Sequence, residues 1–398
     1  MTSEGKKPGP LRIFVLAGEH SGDQLGAQLM KALKAETDGQ VRFVGVGGER
    51  MREEGLESLF PMAELSLIGL TEILPHLRRL LRRIREVEQA VRKCEPDAIV
   101  TIDSPSFTLR VMKRLRGVKA PRIHYVAPQV WAWKPWRARK MAAYLDHLLA
   151  LLPFEPPIFE RHGLKTTFVG HPVVEVAGRV FDGPAFRRNH DIPQDAPTIC
   201  LLPGSRESEV RRLLPIFGEA AAIVHRDMPA LQVILPTVSN VQDEVRRNVR
   251  DWPMPTTVVA GAEDKYGAFA ASHAAIAASG TIAVELAVAG LPTLIAYHVS
   301  PITAFLARRL IRVKYVSLAN LVMDREVQPE MLQDDCTPER LAEAIRPLLA
   351  DQALRESYVA AGREVACTLG YGGEAPSHLA ARAILDTIHK AQTATPER

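Results

Sequence analysis

Residues 11–33 read LRIFVLAGEHSGDQLGAQLMKAL. The opening run, LRIFVLAG (11–18), is short, apolar and rich in β-branched and aromatic side chains, as a buried strand requires. After a polar turn, Leu25, Leu29 and Leu33 recur at i, i+4 and i+8, the spacing of one helix face. Ser21 and Asp23 stand near the helix start as N-cap material. The stretch therefore predicts a strand, a loop and a helix that lies on a sheet.

The same alternation continues outward. Further strands are expected at VRFVGVGG (41–48), DAIVTID (97–103), RIHYVAP (122–128), HLLALLP (147–153) and TTFVGHP (166–172), with helical patterns between them. Strands joined by helices give βαβ units and a parallel sheet, so the first half reads as a Rossmann-like domain. Between Pro172 and Pro197 the periodicity fades into a stretch rich in Gly, Pro and Asp, which is read as a linker. A second set of strands follows at TICLLPGS (198–205), LQVILPT (231–237), TTVVAG (256–261), HAAIAASG (273–280) and PTLIAYHV (292–299). The expected fold is α/β, with two Rossmann-like domains facing across a cleft. The divisions fall at 1–175, 176–370 and 371–398, the last a C-terminal helix packing back on the body.

Length and composition agree with this plan. A chain of 398 residues exceeds one ordinary core. Apolar content of 46% and charged content of 24% are those of a globular protein. The net charge of +4 is small, but the arginines cluster, so local fields matter more than the total. Cys94, Cys200, Cys336 and Cys367 lie far apart without metal-ligand spacing, and no metal is expected. The N-terminal run is a strand rather than a signal peptide, since Glu19, His20 and Asp23 follow at once. Leu286 to Ala307 lacks Lys, Arg, Asp and Glu, yet Gly290, Pro292, His298 and Pro301 divide it, so no membrane span is expected.

In open α/β sheets the chemistry sits in the loops after the strands. In LLPGSRESEV (201–210) a strand ends, Gly204 permits a tight turn and a helix begins at Ser205 or Arg206. Backbone N–H groups and the positive end of that helix suit a diphosphate, and Arg206 adds a charge-assisted bond. The other reading is a helix cap, with Glu207 and Glu209 pairing Arg211 and Arg212. Ser279, Gly280 and Thr281 repeat the device before a helix carrying Glu285, a carboxylate placed to accept ribose hydroxyls or, equally, to form an ion pair. No G-x-x-x-x-G-K-[ST] loop occurs, and the glycine spacings near 17–26 and 45–51 miss G-x-G-x-x-G, which counts against ATP and NAD. In the first half, Asp103 ends a strand, and Glu19 follows another. Either carboxylate is placed as a general base, while Asp103 also suits a turn and N-cap. His20, His124 and His171 are read as structural.

These motifs resemble the lipid-A-disaccharide synthase family, glycosyltransferases of the GT-B fold, family 19. The resemblance runs through AGEHSGD (17–23), GVGGERM (45–51), IDSPSF (102–107), YVAPQVWAW (125–133), PFE (153–155), VGHP (169–172), LPGSRESE (202–209), SGTIAVE (279–285) and VSLANL (316–321). His20 stands where Ala or Pro is expected in the first motif, and Ala319 stands where Pro is usual. The resemblance implies transfer of a glucosaminyl group from UDP-2,3-diacylglucosamine to the 6-hydroxyl of 2,3-diacylglucosamine 1-phosphate, with inversion and without a cofactor. It implies Asp103 as base, with Glu19 the alternative, and Arg206 on the UDP diphosphate. Gly204, Ser205, Ser279, Gly280, Thr281, Glu285 and Asn320 are then placed around the nucleotide. A GT-B UDP-sugar enzyme of another kind, such as a UDP-N-acetylglucosamine 2-epimerase, shares these donor-side needs.

An acylated donor and acceptor imply a cytoplasmic enzyme held peripherally at the inner membrane, without a nucleic-acid partner, and relatives imply a homodimer. QVWAWKPWRARK (129–140) supplies Trp131, Trp133 and Trp136 among four cations, an interfacial combination. Packing beneath a cleft is the other use for such rings. LSLIGLTEILPHLRRLLRRIR (65–85), with Arg78, Arg79 and Arg82, reads as a basic amphipathic element. FLARRLIRVKY (305–315) reads as a third such patch.

Overall fold

The computed structural model describes residues 9–66, 73–177, 179, 181–300 and 313–393. The chain divides into two compact units, Met1–Pro172 with Gly373–Arg398, and Val173–Gly372.

The first unit holds a parallel sheet of β1 (Leu11–Ala17), β2 (Val41–Val46), β3 (Glu57–Ser58), β4 (Ala98–Ile102), β5 (Arg122–Tyr125), β6 (His147–Ala150) and β7 (Thr166–Phe168). Their order is β3-β2-β1-β4-β5-β6-β7. Alternation along β1 sends Ile13, Val15 and Ala17 to one core with Leu29 and Leu33, and Phe14 and Leu16 to another with Ile84 and Val87. Both faces are thus covered, each large side chain contributing about 1.5–3 kcal/mol by leaving water.

The C-terminal helix, Pro376–Thr393, completes this unit rather than standing apart. Ala380, Ala381, Ile384 and Ile388 enter the core beside Leu29 and Leu33. His147 on β6 contacts Thr387 Oγ1 through Nδ1 at 2.7 Å. Glu36 receives His378 at 2.8 Å and Arg382 at 3.4 Å, and these partners hold its carboxyl below the usual range.

The second unit repeats the layout with β8 (Thr198–Leu202), β9 (Gln232–Thr237), β10 (Thr256–Ala260), β11 (Ala274–Ala277), β12 (Thr293–Tyr297) and β13 (Glu330–Leu332). The order is β10-β9-β8-β11-β12-β13, again parallel. No described helix is long and apolar enough to cross a membrane, and β12 occupies the middle of the charge-free stretch.

The expected linker proves to be part of this unit. Residues Gly183–Asn189 form a helix capped by Asp182, whose carboxylate accepts from Ala185 N at 2.8 Å. Phe186 packs with Ile192, Ile234 and Val259. Arg187 is buried and donates to the carbonyls of Pro193, Gln194, Ala196 and Ala271 and to Thr198 Oγ1. A single arginine satisfied by backbone carbonyls ties down a segment whose composition lacks an apolar period.

Candidate functional site

In each sheet the strand order reverses at one place, between β1 and β4 and between β8 and β11. Loops leaving such neighbours diverge and open a crevice outside the carboxyl ends of the strands. The four loops concerned are those that carry Glu19, Asp103, Gly204–Arg206 and Ser279–Thr281.

In the first unit, Asp103 and Ser104 both adopt left-handed backbone, at φ +50° and +45°. Two successive non-glycine residues there store about 1–3 kcal/mol each, held by the hydrogen bond from Asp103 N to Tyr125 O (2.9 Å) and those from Thr108 Oγ1 to the carbonyls of Asp103 and Ser104. Asp103 is a turn residue, but it does not cap the following helix, Thr108–Arg114, whose N-cap is Phe107 without a side-chain bond. Its half-buried carboxylate instead accepts from Ser21 Oγ at 3.2 Å. The β1 loop closes on it from the other side, and a Cβ at Gly18 would stand 2.6 Å from Ser104 Oγ. Glu19 is exposed and serves as N-cap residue of the helix His20–Glu36 without a side-chain cap bond.

Ser21 and Asp23 do not cap their own helix as the sequence suggests. Asp23 is 2% exposed and accepts from Gly48 N, Arg50 N and Met51 N at 2.7–3.2 Å. It caps the short helix Glu49–Glu53, so the AGEHSGD and GVGGERM motifs form one structural unit. His124 is fully buried, with Nδ1 2.8 Å from Thr101 Oγ1, and burial lowers it to about 3. His171 is lowered by burial to about 4. Both remain neutral, as structural histidines do.

In the second unit, Gly204 has φ +115°, and a Cβ there would meet Glu209 Oε2 at 2.5 Å. The helix that follows is Glu207–Asp227, with Arg206 as N-cap residue in extended backbone. Glu209 fills the helix start, accepting from Ser205 N at 3.3 Å and from Arg206 Nη1 at 3.1 Å. The Arg206 side chain is nevertheless 78% exposed. A carboxylate on these donors occupies the position an anion would take, and it is tethered through an exposed, weak pair. Arg211 pairs Glu207 and Glu244, whereas Arg212 donates to His298 O.

The second loop of this unit is positioned from below. Thr281 is the N-cap residue of the helix Ile282–Val288 but makes no side-chain cap bond, and Ser279 Oγ donates to Val316 O at 3.0 Å. Asn320 is fully buried. Its Oδ1 accepts from Val327 N and Gln328 N, and its Nδ2 donates to Gln328 O and Glu330 Oε1. The amide has used every donor and acceptor site it owns within the chain, and in this arrangement it holds the loop in place. Glu330 also accepts from Val316 N and Ser317 N, and Gln328 Nε2 reaches Ala283 O at 2.9 Å. Neither Glu330 nor Gln328 belongs to a motif that the sequence singled out. Glu285 accepts from Lys265 Nζ at 2.5 Å and Tyr266 O–H at 3.1 Å, and lines a cavity of about 170 Å³ with Arg179, Phe181 and Phe269.

The aromatic stretch divides in two. Trp133 and Trp136 are 44% and 54% exposed, and Lys134 Nζ lies 3.9 Å from the Trp133 ring centroid. Trp131 is half-buried, edge-on to Phe154 at 5.4 Å, and donates to Glu155 Oε1 at 3.2 Å. These contacts anchor Trp131 in the loop, the packing use of such a ring. Arg78, Arg79 and Arg82 are exposed on the helix Ile73–Cys94. The opposite face, with Leu80, Ile84, Val87 and Val91, belongs to the core, whereas Leu81 is exposed. Arg83 is engaged by Glu64 and Glu86 and lies over Phe60. Residues 67–72 and most of the 305–315 patch lie outside the described residues. Among the described residues, one trio, Glu36, Glu374 and His378, has metal-ligand proximity, and Arg382 already pairs both carboxylates.

Comparison with known proteins follows the same lines. The family model for lipid-A-disaccharide synthetase matches residues 13–371. The chain is 54% identical to the lipid-A-disaccharide synthase of Rhodospirillum centenum over 383 residues, 96% of each chain. It is 51% identical to that of Paramagnetospirillum magneticum, over 95% of this chain and 98% of the other. Among solved structures, it resembles a S. aureus MnaA–UDP co-structure (TM-score 0.62, 13% identity, 98% of both chains) and Acinetobacter baumannii MurG (TM-score 0.56, 15% identity, 96% of this chain and 100% of that one). These likenesses show the fold, two parallel α/β units of the GT-B type.

Proposed function

Since the chain belongs to the lipid-A-disaccharide synthase family, we propose that it joins UDP-2,3-diacylglucosamine to 2,3-diacylglucosamine 1-phosphate, releasing UDP. The observation that carries the reading is the placement of four motif loops at the strand-order reversals of the two sheets.

Asp103 accepts the proton of the acceptor 6-hydroxyl as its oxygen attacks the anomeric carbon of the donor. Ser21 and the strained turn hold that carboxylate in one orientation. The new C–O bond forms opposite the breaking bond to UDP, so the configuration inverts, and a single base with a single leaving-group stabiliser suffices. On the donor side, the diphosphate takes over the Ser205 N–H and the Arg206 guanidinium from Glu209. A charged hydrogen bond of this kind contributes about 1.5–3 kcal/mol. Glu285 and the Ser279–Thr281 loop complete the nucleotide site, with Asn320, Gln328 and Glu330 holding that loop in place.

Exposed Trp133, Trp136, Arg78, Arg79 and Arg82 give this enzyme a peripheral seat on the cytoplasmic face of the inner membrane, at about 1 kcal/mol per cation. Assembly as a homodimer belongs to the same reading. The test is UDP release from the acylated UDP-sugar with and without the acceptor: transfer releases UDP only when both are present. Conversion of the donor by itself would point to an epimerase instead.

A further inference from the structure

The first unit carries a second basic site that none of this chemistry uses. Lys113, Arg116, Arg137 and Lys140 line one cavity of about 400 Å³, within the range of ligand pockets, with Met141 and Tyr144 as its buried floor. Arg137, Lys140, Met141 and Tyr144 share a face of the helix Trp136–Ala142 and its continuation, while Lys113 is in the last turn of the helix Thr108–Arg114 and Arg116 follows its C-cap residue Leu115.

Four features mark this as more than a solvated surface. No acidic residue lines the cavity. Among the described residues, none of the four cations forms an ion pair, although Arg83, Arg92, Arg114 and Arg122 of the same unit all do. Lys113 and Lys140 stand in the last turns of their helices, where the dipole favours a cation, but Arg116 lies beyond one helix and Arg137 at the start of the other, so neutralising the helix ends accounts for only two of the four. Arg116 lies 5.6 Å from the Tyr144 ring centroid, and the phenol itself offers a hydroxyl beside the cations. Burial pushes Tyr144 up, while Arg137 and Arg116 pull it back, so both guanidiniums bear on its oxygen. Like charges gathered without a counter-charge repel one another and are satisfied together by one multivalent anion.

Topology separates this cavity from the loops described above. Both helices follow strands of the parallel sheet and run back against them, so their C-terminal ends lie where the strands begin. Asp103 and Glu19 lie where the strands end.

The geometry points to a phosphate-binding site at the amino edge of the first sheet, built by Lys113, Arg116, Arg137 and Lys140 over Tyr144. Its ligand is a phosphate group, borne by an acidic phospholipid headgroup or by a free anion. The site is independent of the transfer reaction. The test compares the full chain with a Lys113→Gln/Arg116→Gln variant, and with Arg110→Gln as a control for simple loss of charge on the helix that carries Lys113. The two probes are inorganic phosphate, by calorimetry, and sedimentation with phosphatidylcholine vesicles with and without phosphatidylglycerol. Two cations lost at about fivefold each weaken the relevant complex by about twenty-fivefold, with the Arg110 control within about twofold. A loss with inorganic phosphate identifies a free anion, and a loss confined to phosphatidylglycerol vesicles identifies the lipid headgroup. If the double variant matches the unaltered chain with both probes, or the Arg110 control loses as much, the site does not exist. Arg137→Gln/Lys140→Gln removes the other wall and should weaken the same complex to a similar degree; unchanged binding in that variant also overturns the site.

Discussion

Glu155 provides a stability prediction whose sign is unusual. Its carboxyl is 2% exposed and accepts from Leu152 N at 3.1 Å and from Trp131 Nε1 at 3.2 Å. Burial outweighs these two donors and raises it to about 7 from 4.5. A folded value above the unfolded one means that the folded state favours the protonated carboxyl. Its contribution is complete below pH 4.5 and is lost as pH rises through about 7. The difference corresponds to about 3 kcal/mol between pH 4.5 and 8. Glu155→Gln keeps an acceptor for the indole and stays neutral, but its NH2 cannot accept from Leu152 N, a loss that does not depend on pH. Between pH 5 and pH 8 the variant should therefore gain up to about 3 kcal/mol relative to the unaltered protein in the first unit. Urea unfolding followed by tryptophan fluorescence reads this, because Trp131 bonds the altered group. His124, His147 and His171, lowered to about 3, 4 and 4, destabilise the fold as pH falls below 6.5, but equally in both proteins, so the comparison removes them. A stability difference that is the same at pH 5 and pH 8 would refute the reasoning.

Other expectations follow from the same structure. Asp103→Ala should lower turnover at least about 100-fold with the fold intact by circular dichroism; near-normal turnover moves the base to Glu19. Arg206→Ala should also lose about 100-fold or more, and a change confined to acceptor KM would contradict its place on the diphosphate. Arg187→Ala leaves a set of buried carbonyls without a donor and should destabilise the second unit by about 3 kcal/mol or more, seen as a lowered Tm. Replacing Arg78, Arg79 and Arg82 by Gln should weaken binding to anionic vesicles most at low salt; binding unchanged across salt concentrations would remove that surface.

Much of the architecture is readable in the sequence because it depends on local pattern. Runs such as Leu11–Ala17 and Thr198–Leu202 are buried on both faces and therefore spell themselves as continuous apolar segments. β3 and β13 escape such reading, since edge strands of two and three residues, Glu57–Ser58 and Glu330–Leu332, carry no apolar run. The linker reading fails because Arg187 organises residues 183–198 through backbone carbonyls, a device without sequence periodicity. Site loops stand out through their glycines and their positions after strands. What lies beneath them does not: Glu330 and Gln328 act through contacts that span eight to 45 residues and become visible only when burial is known. Asn320 and Asp23 show the same limit in reverse, for both are conspicuous in the sequence, yet their partners, not their residue types, decide what they do.

The most direct measurement is the mass and anomeric linkage of the product made by the purified chain from UDP-2,3-diacylglucosamine and 2,3-diacylglucosamine 1-phosphate. A tetraacyl disaccharide 1-phosphate with a β-1,6 bond, formed with one UDP per linkage, is the predicted result. An epimerised UDP-sugar, a product of retained configuration, or no disaccharide from an enzyme that still binds UDP would contradict it.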